Sequence, residues 1–220
     1  RLPIYAQDNN QTSYPYGSRN PEEGNYVGMP IAENSAEAAT FVWESLPGTA
    51  IIEKPDYPVV LMEYAEVEFI LSELDGWAQD HYENGVRASM ERWNNMDSEN
   101  EIGDEIDPYI NNLPDASEAT VLAQKYIASY MQSTNAWTEY RRTNFPDILV
   151  QPNDDYSVYI PSADTTFNYT FNPISDVDDL PYRMRYPQQE QTLNVNNYQE
   201  AVGWLENGDS QSTRLWWDVD

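Results

Sequence analysis

The sequence contains no cysteine, a single histidine and few cations: 11 lysines and arginines stand against 38 aspartates and glutamates, a formal net charge of −27. Without a thiol, disulfides and thiolate-held metals are excluded. One histidine, His81, rules out a histidine-rich metal site; in a helix of mixed polarity it reads as a solvated surface residue. The shortage of positive charge excludes nucleic acid, whose phosphates would be repelled, and an anionic membrane surface for the same reason. No run of about 18 apolar residues is present, so nothing reads as a membrane-spanning helix. The nucleophile elbow, the phosphate loop and zinc-ligand spacings are absent too. The opening RLPIYAQ carries neither an initiating methionine nor a leader, and we expect a fragment or a processed chain.

What is present is a large aromatic content. Aromatic residues make up 13% of the 220 positions, with 7 Trp and 17 Tyr, and hydrophobic residues make up 40%. That is too apolar for a disordered acidic tail and enough for a real core. The acidic balance does not oppose neutral ligands such as sugars, or cations.

Three stretches differ in pattern. Residues 1–57 are rich in Gly, Pro, Asn, Tyr and Ser and read as loop, with a short helical patch at 35–46. Residues 58–145 carry the helical period. VVLMEYAEVEFILSEL (59–74) has an apolar stripe at Val60, Tyr64, Val67, Ile70, Leu71 and Leu74, stopped by Gly76. A second helix over 77–93 places Trp77, Tyr82, Val86, Met90 and Trp93 on one face, so the two form an antiparallel hairpin. An acidic connection over 97–115 leads to a third helix at 117–131, capped by Ser117, with Val121, Leu122, Tyr126, Ile127 and Tyr130 inward. A short fourth helix, 135–143, is closed by Asn144 and Pro146. Residues 146–220 return to irregular chain, with a strand at 156–161, a helix over 194–205, and an apolar STRLWWDVD terminus expected to be docked. The fold class expected is mainly α, helical hairpins with long irregular loops and little β.

Candidate site residues are few. The 38 acidic residues make any carboxylate pair uninformative about glycoside hydrolysis, so no catalytic residue is assigned. The acidic run from Asp97 resembles a calcium loop only in part: Ile102 and Pro108 stand where Gly and Glu are required, and no calcium site or other metal or cofactor is predicted. Tyr14, Tyr16, Tyr26 and Trp43 lie in Gly/Pro-rich loops, off any helical stripe. Flat rings beside Asn, Gln and Asp suit sugars, whose apolar faces stack while their hydroxyls take hydrogen bonds; the alternative is that these rings pin the loops. Trp77, Trp93, Trp137, Tyr126 and Tyr130 read as core. Arg141, Arg142, Arg183, Arg185 and Arg214 cluster after residue 140 near prolines and aromatics. We read the first four, with Trp216 and Trp217, as internal braces holding the C-terminal chain onto the fourth helix.

The order of motifs carries a family resemblance. RLPIYA, YAEVEFILSEL, YENGVRASMERW, QKYIASYMQSTNAWTEYRRTNFP, YRMRYPQQEQTLNVNNYQEAV and TRLWWD follow one another along almost the whole chain. The series resembles the C-terminal part of SusD/RagB-like nutrient-binding outer-membrane lipoproteins of Bacteroidetes. The resemblance implies tetratricopeptide-like helix pairs within one SusD-like domain: a loop-rich ligand side at 1–57, hairpins at 58–145, and a docked segment at 146–220. It also implies that the N-terminal half, with its signal peptide and anchoring cysteine, is missing. It implies a lipid-anchored protein on the extracellular face of the outer membrane. Such a protein is not an enzyme; it binds glycans, or in some cases peptides, and delivers them to a SusC-like TonB-dependent transporter. A fragment acting mainly as a transporter-contacting module is the other reading.

Overall fold

The computed structural model describes residues 2–6, 47–97, 101–160, 165–172, 177 and 179–218. The four loop rings Tyr14, Tyr16, Tyr26 and Trp43, and the patch at 35–46, lie outside the described residues. Within them the chain forms α1 (Leu2–Tyr5), α2 (Thr49–Ile52), α3 (Tyr64–Leu74), α4 (Gln79–Met96), α5 (Gly103–Asn111), α6 (Glu118–Ala128), α7 (Ser133–Thr143), β1 (Asp155–Ile160), β2 (Thr165–Thr170), α8 (Gln188–Leu193) and α9 (Val195–Gly203). The protein is mainly helical. Its one described sheet is the antiparallel pair β1–β2, which pairs Asp155 with Thr170 and Ile160 with Thr165. The chain divides into two compact units near residue 148.

In the first unit α3 and α4 form the expected antiparallel hairpin. Residues joined across it run in opposite senses: Glu63 with Arg92, Glu68 with His81, Ser72 with Ala78. Gly76 and Trp77 turn the chain with φ of 70° and 69°. The buried face of α4 is the one the periodicity marks, Tyr82, Val86, Met90 and Trp93. That of α3 is not. Ala65, Glu68, Phe69 and Ser72 are buried, while Tyr64 and Leu74 are exposed. The reason is local to the crossing: Gly85 leaves a gap into which the Phe69 ring fits, and a Cβ at 85 would stand 2.8 Å from that ring. The helix also begins later than expected. Val59–Met62 are not helical; Glu63, at φ −112° and ψ 146°, is the N-cap, and its carbonyl accepts the Val67 amide.

The acidic connection contains an unexpected helix, α5. Ile102, Ile106 and Ile110, four residues apart, are all buried and drive it despite Pro108 inside. The acids between them mask the stripe, and Pro108 reads as a breaker because it withholds one helical hydrogen bond. α6 starts as expected at Ser117. The Thr120 amide donates to Ser117 Oγ at 3.3 Å, and the Ser117 amide donates to Thr120 Oγ1 at 2.8 Å, a reciprocal cap. α7 ends at Asn144, in the left-handed region at φ 57°. Trp137, expected in the core, is exposed on α7. The residues that α7 buries are Tyr140 and Arg141, one turn further on the same side and nearer its C-terminal end.

The N-terminal segment completes this core. Tyr5 stacks on Tyr130 at 4.2 Å and meets Trp93 edge-on at 4.9 Å. Its hydroxyl donates to the Ile127 carbonyl, and the Tyr130 hydroxyl donates to the Tyr5 carbonyl. Two hydrogen bonds, spanning 122 and 125 positions, and a ring stack thereby tie Tyr5 to the end of α6 and the residues just after it.

Candidate functional site

In the second unit, α9 and the chain from Gly208 to Asp218 are fixed by one buried ion pair. Arg183 Nη1 donates to Asp209 Oδ1 at 2.7 Å, with both side chains only 7% exposed. Arg183 Nη1 also donates to the Ser210 carbonyl, the Tyr186 amide donates to Asp209 Oδ1, and the Tyr198 hydroxyl of α9 donates to Asp209 Oδ2. Burial would raise the Asp209 carboxyl, but the Arg183 hydrogen bond and charge and the two other donors hold it below the usual carboxylate range. The Arg183 guanidinium lies 4.9 Å from the centre of the Tyr186 ring, and Tyr186 meets Tyr198 edge-on at 6.0 Å. Thr213, fully buried, donates to the Gly208 carbonyl at 2.8 Å.

This frame supports a cleft of about 630 Å³ lined by residues that include Tyr186, Trp204, Glu206, Arg214, Trp216 and Asp218. Trp204, at the C-cap of α9, is 78% exposed, and Trp216 is 89% exposed. Arg214 lies 4.6 Å over the Tyr182 ring and donates to Asp218 Oδ1 at 2.9 Å. One guanidinium is thus committed, and Glu206 stands exposed at the cleft. Two accessible indoles beside carboxylates and a tyrosine can stack on a flat apolar face and accept hydrogen bonds from hydroxyls.

The arginines and tryptophans singled out in the sequence have distinct places. Arg142 forks onto Glu73 of α3 at 2.6 and 2.7 Å and donates to Glu139 as well. It joins two helices of the first unit, and that fork lowers the Glu73 carboxyl. Glu139 also takes Lys125 of α6 at 3.0 Å. Arg141 is buried, Arg183 holds Asp209, and Arg185 is exposed. Trp216 and Trp217 were expected to be docked. Both rings are exposed instead, because the links that fix their segment come from Thr213 and Arg214. Sequence reasoning missed Trp204, Glu206 and Asp218. The Trp204 signal was a large ring just before the Gly208 stop; nothing linear pairs it with Trp216.

Comparison with known proteins now bears on this geometry. A family model described as "Starch-binding associating with outer membrane", SusD-like, matches residues 1–187. The chain belongs to the SusD-like family. Solved structures agree. A chitin-binding protein is 26% identical with a TM-score of 0.53, covering 71% of this chain and 33% of its own. A Bacteroidetes AC2a SusD-like protein is 28% identical with a TM-score of 0.57, covering 76% and 32%. A SusD homolog from Bacteroides fragilis NCTC 9343 is 23% identical with a TM-score of 0.63, covering 88% and 44%. The SusD-like chain thus spans from about a third to under half of the length of these proteins. No curated protein matches it. Carbohydrate binding in association with the outer membrane is a property of this family, and its helical, tetratricopeptide-like architecture is the one observed. No helix among the described residues of the SusD-like chain is long and apolar enough to cross a membrane.

Proposed function

We propose that this SusD-like chain binds oligosaccharide without chemical turnover, at the extracellular face of the outer membrane, and hands it to a SusC-like TonB-dependent transporter, the protein being held there by a lipid anchor. The observation that carries the binding reading is the pair of exposed indoles, Trp204 and Trp216, lining one cleft in a chain of this family. Each ring offers a stacking face, and Glu206, Asp218 and Tyr186 offer hydrogen-bond partners. The reading uses no cofactor or metal. Calorimetry against neutral oligosaccharides, starch and chitin fragments first, tests it. Trp204→Ala or Trp216→Ala is expected to weaken binding by about tenfold with unchanged melting. A panel of sugars that gives no heat while peptides bind would make the ligand a peptide.

A second reading rests on another observation. Val59, Leu61 and Met62 are exposed beside a hollow of about 550 Å³, and an apolar surface of this kind suits a protein contact. On that reading the chain serves mainly to contact the transporter. Leu61→Glu would then abolish co-purification with the transporter and leave glycan affinity unchanged.

A further inference from the structure

The charges around the Trp204/Trp216 cleft select among sugars. We infer that the cleft prefers oligosaccharides bearing free amino groups, of the 2-amino-2-deoxy type, over neutral ones, and rejects uronic and sulfated ones. This rests on reading the cleft as a glycan site. Two carboxylates line it, Glu206 and Asp218, against one guanidinium, Arg214. Arg214 is already engaged: it donates to Asp218 at 2.9 Å and lies 4.6 Å over the Tyr182 ring. An anionic sugar therefore finds no free cation there and meets the field of a chain of net charge −27. An ammonium group on a sugar ring stacked over Trp204 or Trp216 gains twice. The indole face carries the negative end of the ring quadrupole, which attracts a cation. Glu206, exposed at the same cleft, supplies a carboxylate partner.

The stacking and the charge act on different atoms of the sugar, so they separate experimentally. Neutral C–H faces need only the indoles. The amino preference needs Glu206 in addition.

The test is calorimetry of the full chain with three probes of equal length: a glucosamine hexamer, an N-acetylglucosamine hexamer and a galacturonate hexamer. The glucosamine hexamer is expected to bind about fivefold more tightly than its acetylated counterpart at low salt, the scale of one exposed ion pair. That advantage is expected to vanish in Glu206→Gln and in high salt, the two hexamers then binding alike. Galacturonate is expected not to bind. Trp204→Ala and Trp216→Ala should weaken both amino-sugar probes. Equal affinity for the two hexamers overturns the inference and leaves glycan binding standing. A glucosamine preference that survives Glu206→Gln and both tryptophan variants also overturns it, because diffuse attraction to the acidic chain then accounts for it. Silence of every sugar removes the glycan reading itself.

Discussion

Phe69 lies against the backbone of Gly85, and a Cβ at that glycine would come within 2.8 Å of the ring. Phe69 is fully buried, so the ring has no free space to swing into. Gly85→Ala sets two effects against each other. Alanine favours the middle of a helix by up to about 1 kcal/mol. Overpacking a closed core costs about 1–3 kcal/mol. The net expected is a destabilisation of about 1–2 kcal/mol, read by chemical denaturation. A more stable variant would show that the α3–α4 contact is looser than described.

His81 and Glu68 give the same hairpin a pH dependence. His81 Nδ1 lies 2.7 Å from Glu68 Oε2, and Nε2 lies 3.6 Å from Asp75. The Tyr64 hydroxyl also donates to Glu68. The Glu68 hydrogen bond raises the imidazole above its ordinary value; the Tyr64 and His81 donors lower the Glu68 carboxyl. The histidine's contribution is complete below its unfolded value of about 6.5 and is lost as pH rises through the raised folded value. The carboxylate's contribution is complete above about 4.3 and is lost as pH falls through the lowered one. Melting temperature should therefore be highest on the weakly acidic side and fall on going alkaline. His81→Asn should flatten the alkaline fall. An alkaline fall unchanged in His81→Asn would remove the pair from the account.

Arg183→Ala leaves Asp209 buried with its main partner gone, and removing one member of a buried pair costs about 3–5 kcal/mol. Because Asp209 also holds Tyr186 and Tyr198, glycan affinity at the neighbouring cleft should fall as well. Arg183→Lys is the control, since it keeps the charge and loses the planar guanidinium over the Tyr186 ring. The native pair should fail only as pH drops below about 3.9, the unfolded value, toward the depressed folded one. Thermal melts of both variants, with binding measured on the folded fraction, check this.

Ser117→Ala removes the cap of α6 and should cost about 1 kcal/mol. Thr120→Val, which keeps the shape and loses the returning hydroxyl, should cost less. Urea denaturation distinguishes them. Equal, negligible losses would mean that the cap adds nothing to the packing of Val121 and Leu122.

Much of the helical frame was legible because its signals are local. The Ser117 cap, the Asn144 and Pro146 stop, and the stripe from Tyr82 to Trp93 each act within a few residues of chain. The α3 face was misread because Gly85, on the next helix, decides which ring goes inward. The α5 helix was missed because three isoleucines were diluted by acids and a proline.

The sequence by itself bounded the chemistry of this SusD-like chain: with no thiol, one imidazole and an excess of 27 negative charges, it argues against nucleic acid and thiolate-held metal before any coordinate. The family, too, is carried by its order of motifs. Only the tertiary structure decided that Arg183 meets Asp209, 26 residues away, and that Trp204 and Trp216 open onto one cleft. Periodicity and capping are properties of neighbours along the chain. A cleft is made by residues that folding alone brings together, and no linear spacing records that distance.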